Sequence, residues 1–172
     1  LSTSNRATLG GMINTDASGQ GSLQYGKTSN HVLALRAVLM NGEILDTSAV
    51  NSVDVLENIN ALELSESSKR LHQTIAQHCK EKRAAIIKDL PQLNRFLTGY
   101  DLKNVFNEDE SEFNLTRILT GSEGSLAFIC EAKLNLLPIP QYRTLINIKY
   151  RSFDAALRNA PFMVKANALS VE

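Results

Sequence analysis

The spacing of apolar residues changes along the chain, and the clearest pattern predicts a β-hairpin near the start. Residues 32–40 form a nearly continuous apolar run, and residues 43–47 follow it across the pair Asn41-Gly42. Asn-Gly between two apolar runs favours a tight turn, because both turn positions need a positive φ. We therefore predict a hairpin whose first strand is central in its sheet and buried on both faces.

A different periodicity follows the hairpin. Apolar positions such as Leu71, Ile75 and Cys79 recur every three or four residues, which is typical of amphipathic helices. Pro91 lacks the backbone N–H that a helix interior needs, so we expect the last helix to stop or kink near it. The pattern predicts a helical insertion over about residues 51–98.

The last third of the chain returns to strand-like patterns. Residues 126–137 predict a long strand, and Pro138 and Pro140 after it indicate a domain boundary. Beyond the prolines the pattern predicts a strand at 145–150, a helix starting near Ser152 and a second strand at 168–171. The strands and helices together predict an α+β fold, with a mixed or antiparallel sheet flanked by helices.

Charge and composition exclude several classes of function. The 172 residues carry 18 Lys and Arg against 18 Asp and Glu, so no overall field attracts nucleic acid. Cys79 and Cys130 are isolated, and His72 and His78 do not share a helix face, so we predict no metal site. No apolar run reaches the roughly 18 residues of a membrane helix, so we predict no transmembrane segment.

Glycine is concentrated in residues 8–22, which include four of the nine glycines of the chain. Such a run adds little to a core, but its backbone N–H groups can approach a ligand closely, and its hydroxyls add further donors. The chemistry indicates a cradle for phosphate or another polar part of a large cofactor. The alternative is a glycine-rich surface loop between two ordinary elements.

Three motifs in order resemble one family. The first is Gly10-Gly11-Met12-x-x-Thr15-x-Ala17-Ser18-Gly19 followed by Tyr25-Gly26, which resembles the second cofactor segment of the vanillyl-alcohol-oxidase-type (PCMH-type) FAD-binding domain. The run Thr120-Gly121-Ser122-Glu123-Gly124-Ser125-Leu126 resembles the closing motif of that domain. Between them, Gly99-Tyr100-Asp101-Leu102 resembles an element of the D-2-hydroxy acid dehydrogenases. The chain is most similar to the bacterial FAD- and iron–sulfur-containing D-2-hydroxyglutarate and D-lactate dehydrogenase group.

The resemblance implies a cofactor site made of two segments. The diphosphate and ribityl parts of FAD would lie against Thr8, Gly10, Gly11, Thr15, Asp16, Ala17, Ser18 and Gly19. A second contact, largely through backbone groups, is implied for Glu123, Gly124, Ser125, Leu126 and Ile129. Ala127 stands where family members commonly have glycine. The two segments should meet in space.

Asp16 needs a separate expectation, because a carboxylate beside a diphosphate would be repelled. We expect its side chain to turn towards backbone donors or hydroxyls, or the residue to contact the cofactor through its main chain only. Lys27 and His31 are interpreted as loop residues, or at most as neighbours of the residues that touch the cofactor. We predict no catalytic residue in the chain.

The resemblance also implies domain limits and an activity. Residues 1–140 would be the C-terminal part of the FAD-binding domain, and residues 141–172 the start of a substrate domain. The chain opens on Leu1, and we expect it to be a piece of a longer protein, with the iron–sulfur cluster outside this segment. The whole enzyme would oxidise a D-2-hydroxy acid by hydride transfer to the flavin N5 and pass electrons to an acceptor.

Other interpretations remain open at this stage. The same domain type serves alcohol and sugar oxidases and a reductase, because a fold does not fix a substrate. A non-catalytic assembly module is a further alternative, in which the acidic residues 108–112 and the charged helices would be docking surfaces. The family implies a cytoplasmic location, with association at the inner membrane and a homo-oligomer both compatible with it.

Overall fold

A computed structural model describes residues 5–19, 21–90, 93 and 100–171 of the chain. The predicted hairpin is confirmed: strand β1 is Val32–Leu39, strand β2 is Ile44–Asn51, and the turn between them contains Gly42 at φ 83°. The strands pair antiparallel, with Leu35 opposite Thr47 and Val38 opposite Ile44. The turn lies where Asn-Gly predicts it, but only Gly42 and not Asn41 has a positive φ, and the Gly42 N–H donates to the Leu39 carbonyl oxygen at 2.9 Å.

The hairpin is the centre of a four-stranded sheet. Strand β3 is Glu112–Asn114 and strand β4 is Ala127–Leu134, and the strand order is β3-β2-β1-β4. Every pairing in this sheet is antiparallel. The predicted α+β class is confirmed, the sheet is of the antiparallel kind, and β1 is central as expected.

The expectation that β1 is buried on both faces is wrong. The side chains of Leu35 and Ala37 are buried, at 2% and 0% exposure. Leu33 on the same strand is 45% exposed. On the outer face, Arg36 pairs with Asp46 on β2 and with Glu131 on β4. An apolar sequence therefore gave a strand with one core face and one solvated face, as is usual in antiparallel sheets.

Short and long helices surround the sheet. They are α1 (Leu9–Asn14), α2 (Ser22–Tyr25), α3 (Ser52–Glu57), α4 (Glu66–Glu81), α5 (Arg83–Asp89), α6 (Thr116–Leu119) and α7 (Phe153–Lys165), with 3-10 turns at Thr28–Asn30 and Ile59–Ala61. Three of these helices occupy the predicted insertion. Helix α5 ends at Asp89 near the expected stop, while residues 91, 92 and 94–99 lie outside the described part.

Helix α4 packs its apolar face onto the core behind the sheet. His72, Ala76 and Cys79 are buried at 1%, 0% and 1% exposure. The His72 ring lies edge-on to the ring of Phe113 on β3, with centroids 6.1 Å apart. The histidine is thus a core residue whose Nδ1 is 2.8 Å from the Ser68 carbonyl oxygen.

The acidic residues 108–112 are mostly exposed, and Glu110 among them is half-buried. Glu110 accepts hydrogen bonds from Lys80 on α4 and from Nε of Arg83 on α5. Ser52 Oγ donates to the Glu110 carbonyl oxygen at 2.7 Å. The segment therefore ties α4 and α5 to the start of α3.

Residues beyond β4 correct another expectation. Ser152 caps α7 as predicted, with its side chain accepting from the Ala155 N–H at 3.2 Å. The predicted strands at 145–150 and 168–171 are absent from the described residues, and α7 has no buried residue. A strand needs a neighbour for its backbone groups, and no described strand lies beside either segment. Within the described ranges, no helix has the length and apolarity that crossing a membrane requires.

Candidate functional site

The two glycine-rich segments of the sequence meet in the structure. The Gly121 N–H donates to the Ile13 carbonyl oxygen at 2.9 Å, and the Glu123 N–H donates to the Asn14 carbonyl oxygen at 2.8 Å. Both acceptors lie in the last turn of α1, where carbonyls lack partners within the helix. We call residues 8–22 and 120–126 the cradle. The expectation that its two walls meet in space is confirmed.

Local hydrogen bonds shape the first wall. Thr8 caps α1 by accepting from the Gly11 N–H at 3.1 Å, and Thr15 Oγ1 donates back to the Gly11 carbonyl oxygen at 2.9 Å. A Cβ atom on Gly11 would lie 2.9 Å from Thr8 Oγ1. Glycine at this position therefore lets the cap close tightly over the start of the helix.

Left-handed backbone is concentrated where the walls meet. Asp16 has φ 44° and Glu123 has φ 53°, with Gly121 at 83° and Gly124 at 74°. Residues in this conformation turn successive N–H groups towards one side, which forms concave sites for anions and polar groups. Asp16 and Glu123 are not glycines, so each carries the conformational cost of left-handed backbone, and residues that carry this cost are common at binding sites.

The structure separates the backbone donors of the cradle into engaged and open ones. The N–H groups of Glu123 and Ser125 are engaged, by Asn14 and by the Ser122 carbonyl oxygen. By contrast, the N–H groups of Gly10, Gly19 and Gly124 have no acceptor among the described residues. These three glycines can therefore donate to a ligand from the backbone.

Asp16 faces the protein interior, as the sequence analysis expected. The residue is 7% exposed, and its carboxylate accepts from the Ser29 N–H at 2.8 Å and from Ser29 Oγ at 3.1 Å. Lys27 Nζ lies 2.5 Å from Asp16 Oδ2. The expected turn of this side chain towards a backbone donor and a hydroxyl is confirmed.

The other candidates of this loop have structural partners. His31 Nε2 lies 2.7 Å from the Tyr25 carbonyl oxygen. Thr28 donates to the Ala17 carbonyl oxygen twice, through its N–H at 3.1 Å and its Oγ1 at 2.8 Å. These bonds anchor the outer end of the first wall to the loop that leads into β1.

The second wall is fixed by hydroxyl groups. Ser125 Oγ donates to the Ser122 carbonyl oxygen at 2.5 Å, and the Tyr100 hydroxyl lies 3.1 Å from Ser125 Oγ. Leu126 and Ile129 pack their side chains against the core. Their contacts with a ligand would therefore be made by backbone atoms, as the resemblance implies.

Two buried polar atoms at the junction have no hydrogen-bond partner among the described residues. They are Asn14 Oδ1 and Thr120 Oγ1; the Asn14 carbonyl accepts one of the two backbone bonds that join the walls, and Thr120 precedes the donor of the other. Buried polar groups are almost always paired, so an unpaired group needs an explanation such as a bound molecule. The open glycine N–H groups and the Thr120 hydroxyl are donors that fit a polar, anionic cofactor such as FAD, whereas Asn14 Oδ1 is an acceptor and needs a donor group.

Sequence reasoning missed the partners that hold this site. Ser29 and Lys27 fix Asp16, and Tyr100 contacts Ser125 from a distant part of the chain. No local pattern signals these contacts, because each depends on how separate loops pack. In the described ranges, no group of three or more His, Cys, Asp or Glu side chains is arranged to hold a metal ion.

Comparison with known proteins agrees with the geometry. Residues 1–48 match the family described as FAD binding domain. The chain is 98% identical over 172 residues to D-2-hydroxyglutarate dehydrogenase of Haemophilus influenzae and 62% identical over 172 residues to that of Escherichia coli. It is 25% identical over 163 residues to the glycolate oxidase subunit GlcD of Bacillus subtilis, covering 95% of this chain and 23% of that protein.

The extent of these matches limits what they say of a whole protein. The full chain is covered in the first two comparisons, but it spans only 17% of the length of each of those curated relatives. The similarity thus concerns one segment of much longer proteins. The resemblance found in the sequence is confirmed for that segment: residues 1–48 match the FAD binding domain family, and the whole chain is similar to one part of D-2-hydroxyglutarate dehydrogenases.

Proposed function

We propose that the chain forms one part of the FAD site of an oxidoreductase that oxidises a D-2-hydroxy acid of the D-2-hydroxyglutarate or D-lactate type. The observation that carries the proposal is the junction of the two walls, where the Glu123 N–H meets the Asn14 carbonyl oxygen at 2.8 Å. It brings two glycine-rich segments together, more than a hundred residues apart in sequence. The similarity to D-2-hydroxyglutarate dehydrogenases supports the substrate class.

The proposed cofactor contacts are those of the sequence analysis, with the atoms now specified for some of them. Among the described residues, the backbone N–H groups of Gly10, Gly19 and Gly124 have no acceptor and are open to a ligand, and Gly10 lies in the capped first turn of α1. Asp16 supports the site from inside, through Ser29 and Lys27. The complete proposed set is Thr8, Gly10, Gly11, Thr15, Asp16, Ala17, Ser18, Gly19, Glu123, Gly124, Ser125, Leu126 and Ile129.

In this proposal the chain binds and orients, and it supplies no catalytic acid or base. FAD, when bound, supplies the acceptor for the hydride that leaves the hydroxy acid. The residues of the cradle would fix the cofactor by backbone donors, and the carboxylate of Asp16 is turned away from its surface. Residues that orient the hydroxy acid and take its proton would belong to other parts of the whole enzyme.

The division of the chain is also part of the proposal. Residues 1–140 would belong to the FAD-binding domain, and residues 141–172 would begin the substrate domain. Helix α7 and the preceding segment, which are largely exposed, would pack against the remainder of that domain. We further propose an iron–sulfur cluster outside this segment, an electron acceptor, a homo-oligomer, and a cytoplasmic enzyme that associates with the inner membrane.

The test uses the full-length protein that contains this chain. We expect it to purify with FAD, which is released on denaturation and identified by chromatography against FMN. Addition of D-2-hydroxyglutarate or D-lactate should bleach the flavin absorbance under anaerobic conditions, and the L-enantiomers are the matched control. A protein that neither contains nor takes up FAD would refute the proposal. Flavin that is bleached by an alcohol or a sugar instead would refute the substrate class alone.

A further inference from the structure

An ion pair lies beside the glycine-rich wall and is almost closed off from water. Lys27 Nζ and Asp16 Oδ2 are 2.5 Å apart, and the two side chains are 12% and 11% exposed. The same carboxylate accepts two hydrogen bonds from Ser29. Asp16 is therefore held by three donors on the side of the loop that faces the protein interior.

The ion pair bears on how an anionic cofactor can bind next to a carboxylate, although the chain as a whole has no net charge. FAD carries a negatively charged diphosphate, and Asp16 is a carboxylate within the segment proposed to hold it. Charges that are shielded from water interact more strongly and are screened less by salt than charges at the surface. A cofactor site built around a buried carboxylate therefore needs a compensating charge.

We propose that Lys27 is a positioning residue for FAD binding that acts through Asp16. The Lys27 ammonium cancels the charge of the buried carboxylate and, with Ser29, keeps it turned away from the cradle. An anionic cofactor can then bind next to Asp16 without repulsion. This inference rests on the proposed FAD site, and it adds a role for a residue that the family resemblance did not assign.

The competing explanation is that the ion pair serves only as a structural link between the turn at Asp16 and the loop at residues 27–30. Gly121 packs against Asp16 from the other wall, so such a link would also stabilise the cradle. The two explanations differ in sign for one variant. A structural link predicts that loss of either partner weakens FAD binding, whereas charge compensation predicts that only loss of the cation does.

The experiment measures the affinity of the full-length apoprotein for FAD by quenching of flavin fluorescence. Lys27→Met keeps the length of the side chain but leaves the carboxylate uncompensated, and we expect the dissociation constant to rise about tenfold or more. Asp16→Asn keeps an acceptor for the Ser29 N–H and removes the negative charge. The Asp16 side chain is turned away from the cradle, so this residue would contact FAD through its main chain only, and we expect Asp16→Asn to bind FAD as tightly as the unaltered protein or more tightly.

The double variant Asp16→Asn with Lys27→Met provides the rescue. Since it removes both charges, we expect its dissociation constant for FAD to return to within about threefold of that of the unaltered protein, because substitutions of two residues in contact are not additive. Weaker binding by Asp16→Asn alone, or no recovery in the double variant, would overturn the inference. If Lys27→Met does not fold, the affinity of Asp16→Asn for FAD still tests the inference, because weaker binding would overturn it and equal or tighter binding would support it.

The result separates this inference from the proposed function. An unaltered apoprotein that takes up no FAD refutes the site itself, before any variant is compared. An unaltered protein that binds FAD, with both single variants equally impaired, keeps the site and refutes the role of Lys27. Thermal unfolding of each apoprotein gives a readout independent of FAD, because both single variants lose the same ion pair and should both be less stable.

Discussion

Gly121 lies so close to Asp16 that a Cβ atom on the glycine would be 3.2 Å from the Cβ of the aspartate. Such a separation is tighter than ordinary van der Waals contact, and the residue also has φ 83°. Glycine is thus required at this point for two separate reasons, the backbone conformation and the approach of the opposite wall.

We predict that Gly121→Ala loosens the junction of the two walls. A side chain in the left-handed region costs about 1–2 kcal/mol, and displacement of Asp16 adds to that cost. The measurement is hydrogen exchange of the Gly121→Ala protein at the amide of Glu123, which donates across the junction. We expect faster exchange there.

Gly42→Ala is the matched control. Gly42 also has φ 83°, but a Cβ atom built on it meets nothing within 4 Å. It carries the conformational cost without the contact, so local opening at the hairpin turn should change by about 1–2 kcal/mol. Equal costs at the two positions would show that the approach to Asp16 contributes nothing.

Thr120→Val should leave the cofactor-free protein as stable as before, or more so. Thr120 Oγ1 is buried without a partner in the part of the chain that the structure describes, and an apolar group of the same shape removes that penalty. Thr116→Val is the control, because Thr116 Oγ1 donates to Thr47 Oγ1 at 3.1 Å in a buried position. Loss of that bond should destabilise the protein by about 1 kcal/mol.

Hydrogen exchange at the amide of Thr120, which donates to the Thr116 carbonyl oxygen, follows both variants. The prediction is contradicted if Thr120→Val accelerates exchange as much as Thr116→Val does.

Helix α4 should lose stability in weak acid because of His72. Burial lowers the pKa of His72 from its ordinary value of 6.5, which the hydrogen bond to the Ser68 carbonyl oxygen only partly offsets. The folded state therefore favours the neutral ring. Its contribution to stability is complete above pH 6.5 and is lost as the pH falls through the lower pKa of the folded state.

The measurement is the exchange rate of α4 amides between about pH 7 and pH 5, the range in which histidine titrates, after correction for the intrinsic rate. His72→Leu should remove the acid-dependent loss, although it leaves the Ser68 carbonyl oxygen without its side-chain partner. His78→Leu changes an exposed histidine of the same helix and should retain the loss. An unchanged profile in His72→Leu would assign the titration to another group.

Glu110 should make the contact of α4 and α5 with the start of α3 sensitive to stronger acid. A hydrogen bond from Lys80, assisted by one from Arg83, holds the pKa of Glu110 below its usual value of 4.5. Because the pKa of this carboxylate is lower in the folded state than in the unfolded state, its stabilisation of the fold is present above pH 4.5. The stabilisation is lost as the pH falls through the folded-state pKa.

Glu110→Gln should remove this acid dependence and speed the exchange of the Ser52 amide, which donates to the Ser111 carbonyl oxygen. Glu108→Gln changes a neighbouring exposed carboxylate and is expected to have little effect. Equal responses of the two variants would mean that the ion pairs with α4 and α5 do not stabilise this contact.

The sequence predicted the elements that are determined locally. The hairpin followed from Asn41-Gly42 between apolar runs, and the start of α7 followed from the capping side chain of Ser152. Of the site, the sequence predicted the two glycine-rich segments and the inward turn of Asp16. Each of these depends on residues near in sequence or on the repulsion between like charges.

The remaining features depend on contacts between distant segments. Strand β3 lies in an acidic, polar stretch, and it forms because the edge of β2 offers partners to Glu112–Asn114. Residues 145–150 have the apolar pattern of a strand, but they form none without a neighbouring strand. Likewise, the Glu123 N–H donates to α1, whereas the N–H of the next residue, Gly124, is open within the described part of the chain. No local pattern in the sequence encodes this difference.

Strand β4 lies at one edge of the described sheet, where another molecule could add a strand and start aggregation. The register shift between Arg36 and Ala37 leaves Cys130 with no opposite residue on β1, and such a bulge bends an edge strand and increases its twist. The exposed charges of Glu131 and Lys133 follow at once. This edge is therefore poorly shaped and unfavourably charged for pairing with a second chain, so the sheet can present it to solvent without inviting fibre growth.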